Sequence, residues 1–248
     1  MTTVSFPQRT ITDITTLRAL RDEVWASILQ DAAWARFVMT GDYDRRFYGV
    51  YLVETYHYVK HNPRHQALVA VQGTGQLWSY YRFCYEHAQE ETGHEMMAFS
   101  DLINLGLTVD PVTLPPPHPA TEIFIGYLYR VSTEGNPLRR LGYSFWAEDS
   151  YGYIRGLMEK ITQHLALEAR HTSFLVSHAS IDEKHAEDVD NAIIHNCKKP
   201  EDWGSLAEVM QTSLRLQSAM LDAVMEEYQA LKANASDRYA FLNARAQT

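Results

Sequence analysis

The spacing of its prolines constrains this chain more than any other feature. Nine occur, at positions 7, 63, 111, 115, 116, 117, 119, 137 and 200, and five of them crowd between 111 and 119. Proline lacks an amide hydrogen and its ring clashes with the turn before it, so long helices must fit in the intervals. Leu17, Leu20, Val24, Ile28 and Phe37, mostly three or four residues apart, predict a helix over about 14–39 with Thr12 and Asp13 as caps. A second helix is expected over about 44–61, capped by Asp42 or Asp44 and stopped at Asn62-Pro63, with a short segment near 64–71 ended by Gly73-Thr74-Gly75. Residues 76–105 read as one long helix closed by Gly106.

After the rigid proline-rich connection 107–119, helices are expected over about 120–132, 137–166, 168–197 and 201–232. The polar tail beyond Ala233 is expected to be loose or peripherally packed. Strand-like alternation and a repeat period of solenoid length are both missing. The reading is one all-α domain over 1–248, with about seven mostly long helices.

With 46% apolar residues the chain can build a substantial core, and a net charge of −9 argues against nucleic acid or an anionic membrane as partner. No apolar run is long enough to span a membrane. The start, MTTVSFPQRT, lacks a secretion h-region, so a cytoplasmic protein is expected. Cys84 and Cys197 form no CxxC pair, and they read as two reduced thiols, with a single disulfide as the other reading.

Three groups of acids and histidines stand at helical spacing. In SHASIDEKHAED, His178, Asp182 and His185 fall at i, i+4 and i+7, within about 60° of one another around a helix. In QEETGHE, Glu91 and His94 are at i and i+3, with Glu90 as a competitor. Glu54 in VYLVETYHY and Glu148 in YSFWAEDSY are single carboxylates in apolar or aromatic settings. Carboxylate oxygen and imidazole nitrogen suit divalent iron, and helix bundles build two-metal sites by aiming such groups inward. Four carboxylates would balance two Fe(II) ions, which explains how acids can stand on apolar helix faces. Against this, a lone Glu-x-x-His is common on exposed helices. His164, His171, His178 and His185 recur at seven-residue steps that packing alone could produce, and Glu54, His57 and His61 form a rival trio.

The order Glu54, Glu91-x-x-His94, Glu148, His178-x-x-x-Asp182-x-x-His185 resembles the heme-oxygenase-like di-iron oxidases and oxygenases over about 45–190. The resemblance implies a seven-helix bundle. Glu91, His94 and Glu148 would hold one iron, with Glu54, His178 and His185 around the other and Asp182 binding or bridging. It further implies Fe(II), O2 and an external electron donor; the carboxylate-rich donor set would also accept manganese in one position. The implied reaction is oxidation of a small molecule, with an amino acid or derivative as the leading substrate class and a fatty acid as the alternative. A homodimer is compatible with the fold. Tyr56, Tyr58, Tyr151 and Tyr153 could line a pocket, and Arg155 reads as a surface ion pair. The main rivals are a thiaminase-like hydrolase, which would need a nucleophilic cysteine, and a non-catalytic metal-binding or scaffold bundle.

Overall fold

A computed structural model describes residues 10–73, 75–106 and 113–243, except for the side chains of 177–183. Among the described residues there are α-helices, short 3-10 turns and no strand. The first predicted helix is two. α1 (Ile14–Asp31) starts at Asp13, whose side chain accepts from the Thr16 amide at 2.8 Å. It ends at Ala32, in extended backbone, and α2 (Ala33–Thr40) follows at a new angle fixed by the Trp34 amide on Asp222. Neither proline nor glycine marks this break. α3 (Arg45–Val59) is capped by Asp44, and α4 (Asn62–Val71) carries Pro63 in its first turn.

The two longest predicted helices of the middle region are also interrupted, and each interruption falls at a glutamate. The segment 76–105 divides into α5 (Trp78–Glu90) and α6 (Glu95–Asn104), with Glu91 closing α5 and Gly93 turning the chain at φ +97°. After α7 (Pro119–Thr133), the segment 137–166 divides into a 3-10 turn (Pro137–Arg140), α8 (Leu141–Ala147) and α9 (Ser150–His164), with Glu148 closing α8. A 3-10 turn at Ala169–His171 precedes α10 (Ser173–Asn196), and α11 (Pro200–Lys232) is the longest element. Eleven α-helical segments among the described residues replace the expected seven, because several long periodic stretches bend once instead of running straight.

α11 packs against α1, α2, α3, α7 and α8 and so forms the spine, with Leu206, Val209, Met210 and Leu214 buried along it. Its approach to α8 requires a glycine: a Cβ on Gly142 would stand 2.2 Å from the Leu206 carbonyl oxygen. α10 packs against both α5 and α8, which draws the ends of those two helices to one place. No helix among the described residues is long and apolar enough to cross a membrane.

The tail departs from expectation as far as Asn243. Tyr239 and Leu242 are buried, Leu242 sits against Gly49 of α3, and Arg238 donates to the carbonyls of Pro116 and Pro117. The tail therefore clamps the proline-rich connection; residues 244–248 lie outside the described set.

Candidate metal centre

Glu91 and Glu148 reach the same point because both close helices that α10 crosses. His87 stands one turn before Glu91 on α5, and the Glu91 amide donates to the His87 carbonyl at 3.0 Å, so this turn remains helical. His185 projects from α10. One ligand atom from each of His87, Glu91, Glu148 and His185 lies within 4.8 Å of all the others, and every one of the four is at most 7% exposed. Such burial of two carboxylates is unfavourable unless their charge is compensated.

The contacts within the group indicate how that charge is met. His87 Nε2 is 3.4 Å from Glu148 Oε1, and His185 Nδ1 is 3.5 Å from Glu148 Oε2 and 3.8 Å from Glu91 Oε1. Neither of these imidazole nitrogens has a hydrogen-bond partner among the described residues. Buried nitrogens facing carboxylate oxygens without a bond between them are what a divalent cation would join, so the donor set fits a metal. The second Glu91 oxygen accepts from Asn62 Nδ2 at 2.8 Å.

His94 stands beyond the Gly93 turn, its Nδ1 3.3 Å from Glu91 Oε1, and Glu90 lies 3.2 Å from the outer nitrogen of His185. Burial alone would raise the Glu91 carboxyl, but hydrogen bonds from His94 and Asn62 and the nearby imidazoles hold it below its ordinary value. The adjacent Glu91 carboxylate raises His94, and the adjacent Glu148 carboxylate raises His185. His87 is lowered by burial and is neutral.

Of the seven residues singled out from the sequence, the structure brings together Glu91, Glu148 and His185, with His94 against Glu91. The side chains of His178 and Asp182 lie outside the described residues. Glu54 is not in the four-residue group, and its oxygens carry other hydrogen bonds. Tyr239 donates to Oε1 at 2.7 Å, and the His118 amide and the Thr121 hydroxyl donate to Oε2. The rival trio dissolves as well, since His57 bonds Pro115 O and His61 bonds the Tyr129 hydroxyl. The seven-residue histidine series crosses the gap between α9 and α10: His164 bonds the distant Tyr43 O, and His171 accepts from the Glu168 amide.

His87 was missed in the sequence. It is at i−4 from Glu91 and i−7 from His94, spacing that could have flagged it, but in a chain with 11 histidines it was one of many.

A cavity of about 150 Å3 is lined in part by Glu91, Glu148 and Asn62. Its walls are apolar and aromatic, with Trp34, Val38, Phe47, Ile161 and Val224 among them. Tyr58 and Tyr151 line it, whereas Tyr153 bonds Asp22 and Tyr56 packs on Phe99. No lysine or arginine lines it among the described residues. Arg155 pairs with Glu159 on the surface, as expected.

The model of a family of iron-containing redox enzymes matches residues 50–219. The chain belongs to this family. Among solved structures, this redox-enzyme family member is similar to a domain of unknown function with a heme oxygenase-like fold from Shewanella denitrificans. That chain is 43% identical with a TM-score of 0.88, and the match covers 92% of this chain and 99% of that one. It shares the fold alone with a TenA homologue from P. horikoshii, at 14% identity and TM-score 0.65, over 86% of this chain and 97% of that one. The same holds for a TenA family transcription regulator from Silicibacter, at 13% identity and TM-score 0.66, over 87% and 97%. No curated protein matches the sequence. The fold is heme-oxygenase-like, as the resemblance implied.

Proposed function

We propose that this chain is a non-heme enzyme that uses O2 and two Fe(II) ions to oxidise a small molecule. The reading is carried by one observation: four buried ligand atoms on His87, Glu91, Glu148 and His185 converge within 4.8 Å beside an apolar cavity. Bound Fe(II) supplies the electrons and open coordination positions with which O2 is activated. Glu91 and Glu148 neutralise metal charge, and His87, His94 and His185 supply nitrogen donors. His178 and Asp182 complete the ligand set of the second ion in this reading. The apolar walls exclude water from the reacting face. Tyr58 and Tyr143 line the same cavity, and burial raises both phenols, which leaves them neutral.

The cavity lining favours one substrate class over the other. A free amino acid needs a cation for its carboxylate and an anion for its ammonium group. Among the described residues, the only charged groups facing the cavity are Glu91 and Glu148, which the metal requires. An apolar chain with a single acid head, whose head rests on the metal, leaves no unpaired charge. A fatty acid therefore ranks ahead of an amino acid. Two-electron oxidation of such a substrate supplies half of what O2 needs to become water, so an external donor provides the other two electrons.

Anaerobic Fe(II) titration of the purified chain should reach two equivalents, and mixing with O2 should produce a new visible absorption that decays faster with a medium-chain fatty acid than with free amino acids. A chain that binds no Fe(II), or binds it without reacting with O2, overturns the oxidase reading. His87→Ala and Glu148→Ala should each lower the iron content.

A further inference from the structure

Arg140 is 1% exposed, and among the described residues it has no carboxylate partner. Its guanidinium lies 4.5 Å from the centre of the Tyr143 ring, and its other contacts are neutral. Nε donates to His65 Nδ1 at 3.2 Å, Nη1 to Ser144 Oγ at 2.7 Å, and Nη2 to Asn62 Oδ1 at 2.9 Å and Gln66 Oε1 at 3.3 Å. A buried cation with no carboxylate in direct contact, and Glu148 acting on it only from a distance, is costly, so its placement calls for an explanation beyond packing.

The two amides pass this arrangement on to the metal centre. Arginine has only donors, so the atoms of Asn62 and Gln66 that face it must be their carbonyl oxygens. The Asn62 amide nitrogen is thereby turned to Glu91 Oε2, 2.8 Å away. The Gln66 oxygen is 2.9 Å from His87 Nδ1, and an oxygen that bears no hydrogen can only accept. His87 Nδ1 must then carry the proton, and Nε2 keeps its lone pair toward Glu148.

We propose that Arg140 is a positioning residue: through the side-chain amides of Asn62 and Gln66 it orients Glu91 and locks His87 in the tautomer that leaves Nε2 free to bind a metal. An outer hydrogen bond commonly sets the tautomer of a ligating histidine in this way. The inference rests on the metal reading of these residues for its purpose but not for its test.

The tautomer is read in the metal-free full chain by long-range 1H–15N correlation of labelled histidines, with the His87 signals identified by their loss in His87→Asn. The wild type should show a protonated Nδ1 and a bare Nε2. Gln66→Leu and Arg140→Met should each give mixed tautomers. If Arg140→Met fails to fold, Gln66→Leu carries the measurement alone. An Nε2–H form in the wild type, or a tautomer unmoved in every folded variant, overturns the proposal. A Co(II) titration then separates the two readings. The expected result is about tenfold to hundredfold weaker binding in the variants, as for loss of an outer partner of a ligand. In the double variant the loss should be no greater than in the worse single one. Wild-type affinity in both variants overturns the positioning role and leaves the metal reading standing. Failure of the wild type to bind Co(II), with a tautomer that still responds to the substitutions, removes the metal reading and leaves the lock.

Discussion

The hydroxyl of Tyr239 donates to Glu54 across 2.7 Å, joining the tail to α3 where Thr121 and the His118 amide also meet the carboxylate. Tyr239→Phe should therefore destabilise the fold by about 1–3 kcal/mol, because a buried carboxylate loses one of its donors. Co(II) stoichiometry should be unchanged in that variant and in Glu54→Gln. Denaturant melts and metal titration check both halves. A variant at Glu54 that keeps its stability but loses metal would return the residue to the ligand set.

Legibility of the sequence follows from what periodicity can and cannot carry. The all-helical class was readable because prolines bound the helices and apolar residues recur at helical steps within them. The breaks at Ala32, Glu91 and Glu148 were not readable. Only the second has a nearby glycine, Gly93, and a bend leaves the apolar pattern on both sides intact. Glu91, His94, Glu148 and His185 stood out as polar groups on helices that must bury a face. Glu54 looked the same, since a buried acid satisfied by three hydrogen bonds and one grouped with imidazoles and a second carboxylate have the same sequence signature. The Tyr239 and Thr121 donors that distinguish them are remote in the chain.

Cys84 and Cys197 are free and buried, and burial pushes each thiol up to about 12. At pH 8 the thiolate fraction is then on the order of one in ten thousand, too little for a nucleophile. Native protein should resist iodoacetamide for hours, and both thiols should react after unfolding. Rapid native labelling of Cys84 would reopen the hydrolase reading.

Metal loading should strengthen as pH rises. The metal requires bare imidazole nitrogens, and carboxylate contacts raise His94 and His185, so both still hold protons at and somewhat above their ordinary range. A raised value means the competing proton is fully present below it and lost only as pH climbs through it. His87, lowered by burial, contributes no proton near neutrality. Calorimetry of Co(II) binding in buffers of different ionisation heat should register proton release that shrinks as pH rises from mildly acidic to alkaline. A pH-independent affinity across that range would contradict the assignment.

Gly142→Ala should be among the most damaging single-methyl additions. The new Cβ would meet the Leu206 carbonyl at 2.2 Å and the Met210 amide at 2.8 Å, both of them backbone that no rotamer can move aside. Overpacking of this kind costs about 1–3 kcal/mol or more, and α8 would be pushed from α11. Since Glu148 closes α8, metal affinity should fall together with the melting temperature. A variant with unchanged melting and unchanged Co(II) affinity would show that α8 can shift freely.

Filling the cavity from its apolar wall should separate substrate binding from metal binding. Val38 lines the wall on α2 and is 1% exposed, and Val38→Phe adds a ring to a space of about 150 Å3. Filling a cavity with an apolar group costs little and can stabilise, so the melting temperature should hold or rise. Val38 belongs to α2, whereas Glu91 and Glu148 close α5 and α8, so metal stoichiometry should match the wild type. Trp25, Trp34 and Trp146 line the same space and report its occupancy by fluorescence. A medium-chain fatty acid should change that signal in the wild type, and its apparent affinity should weaken at least tenfold in Val38→Phe. An equal fluorescence response in both proteins would place the fatty acid outside this cavity and remove the ground for preferring it as the substrate.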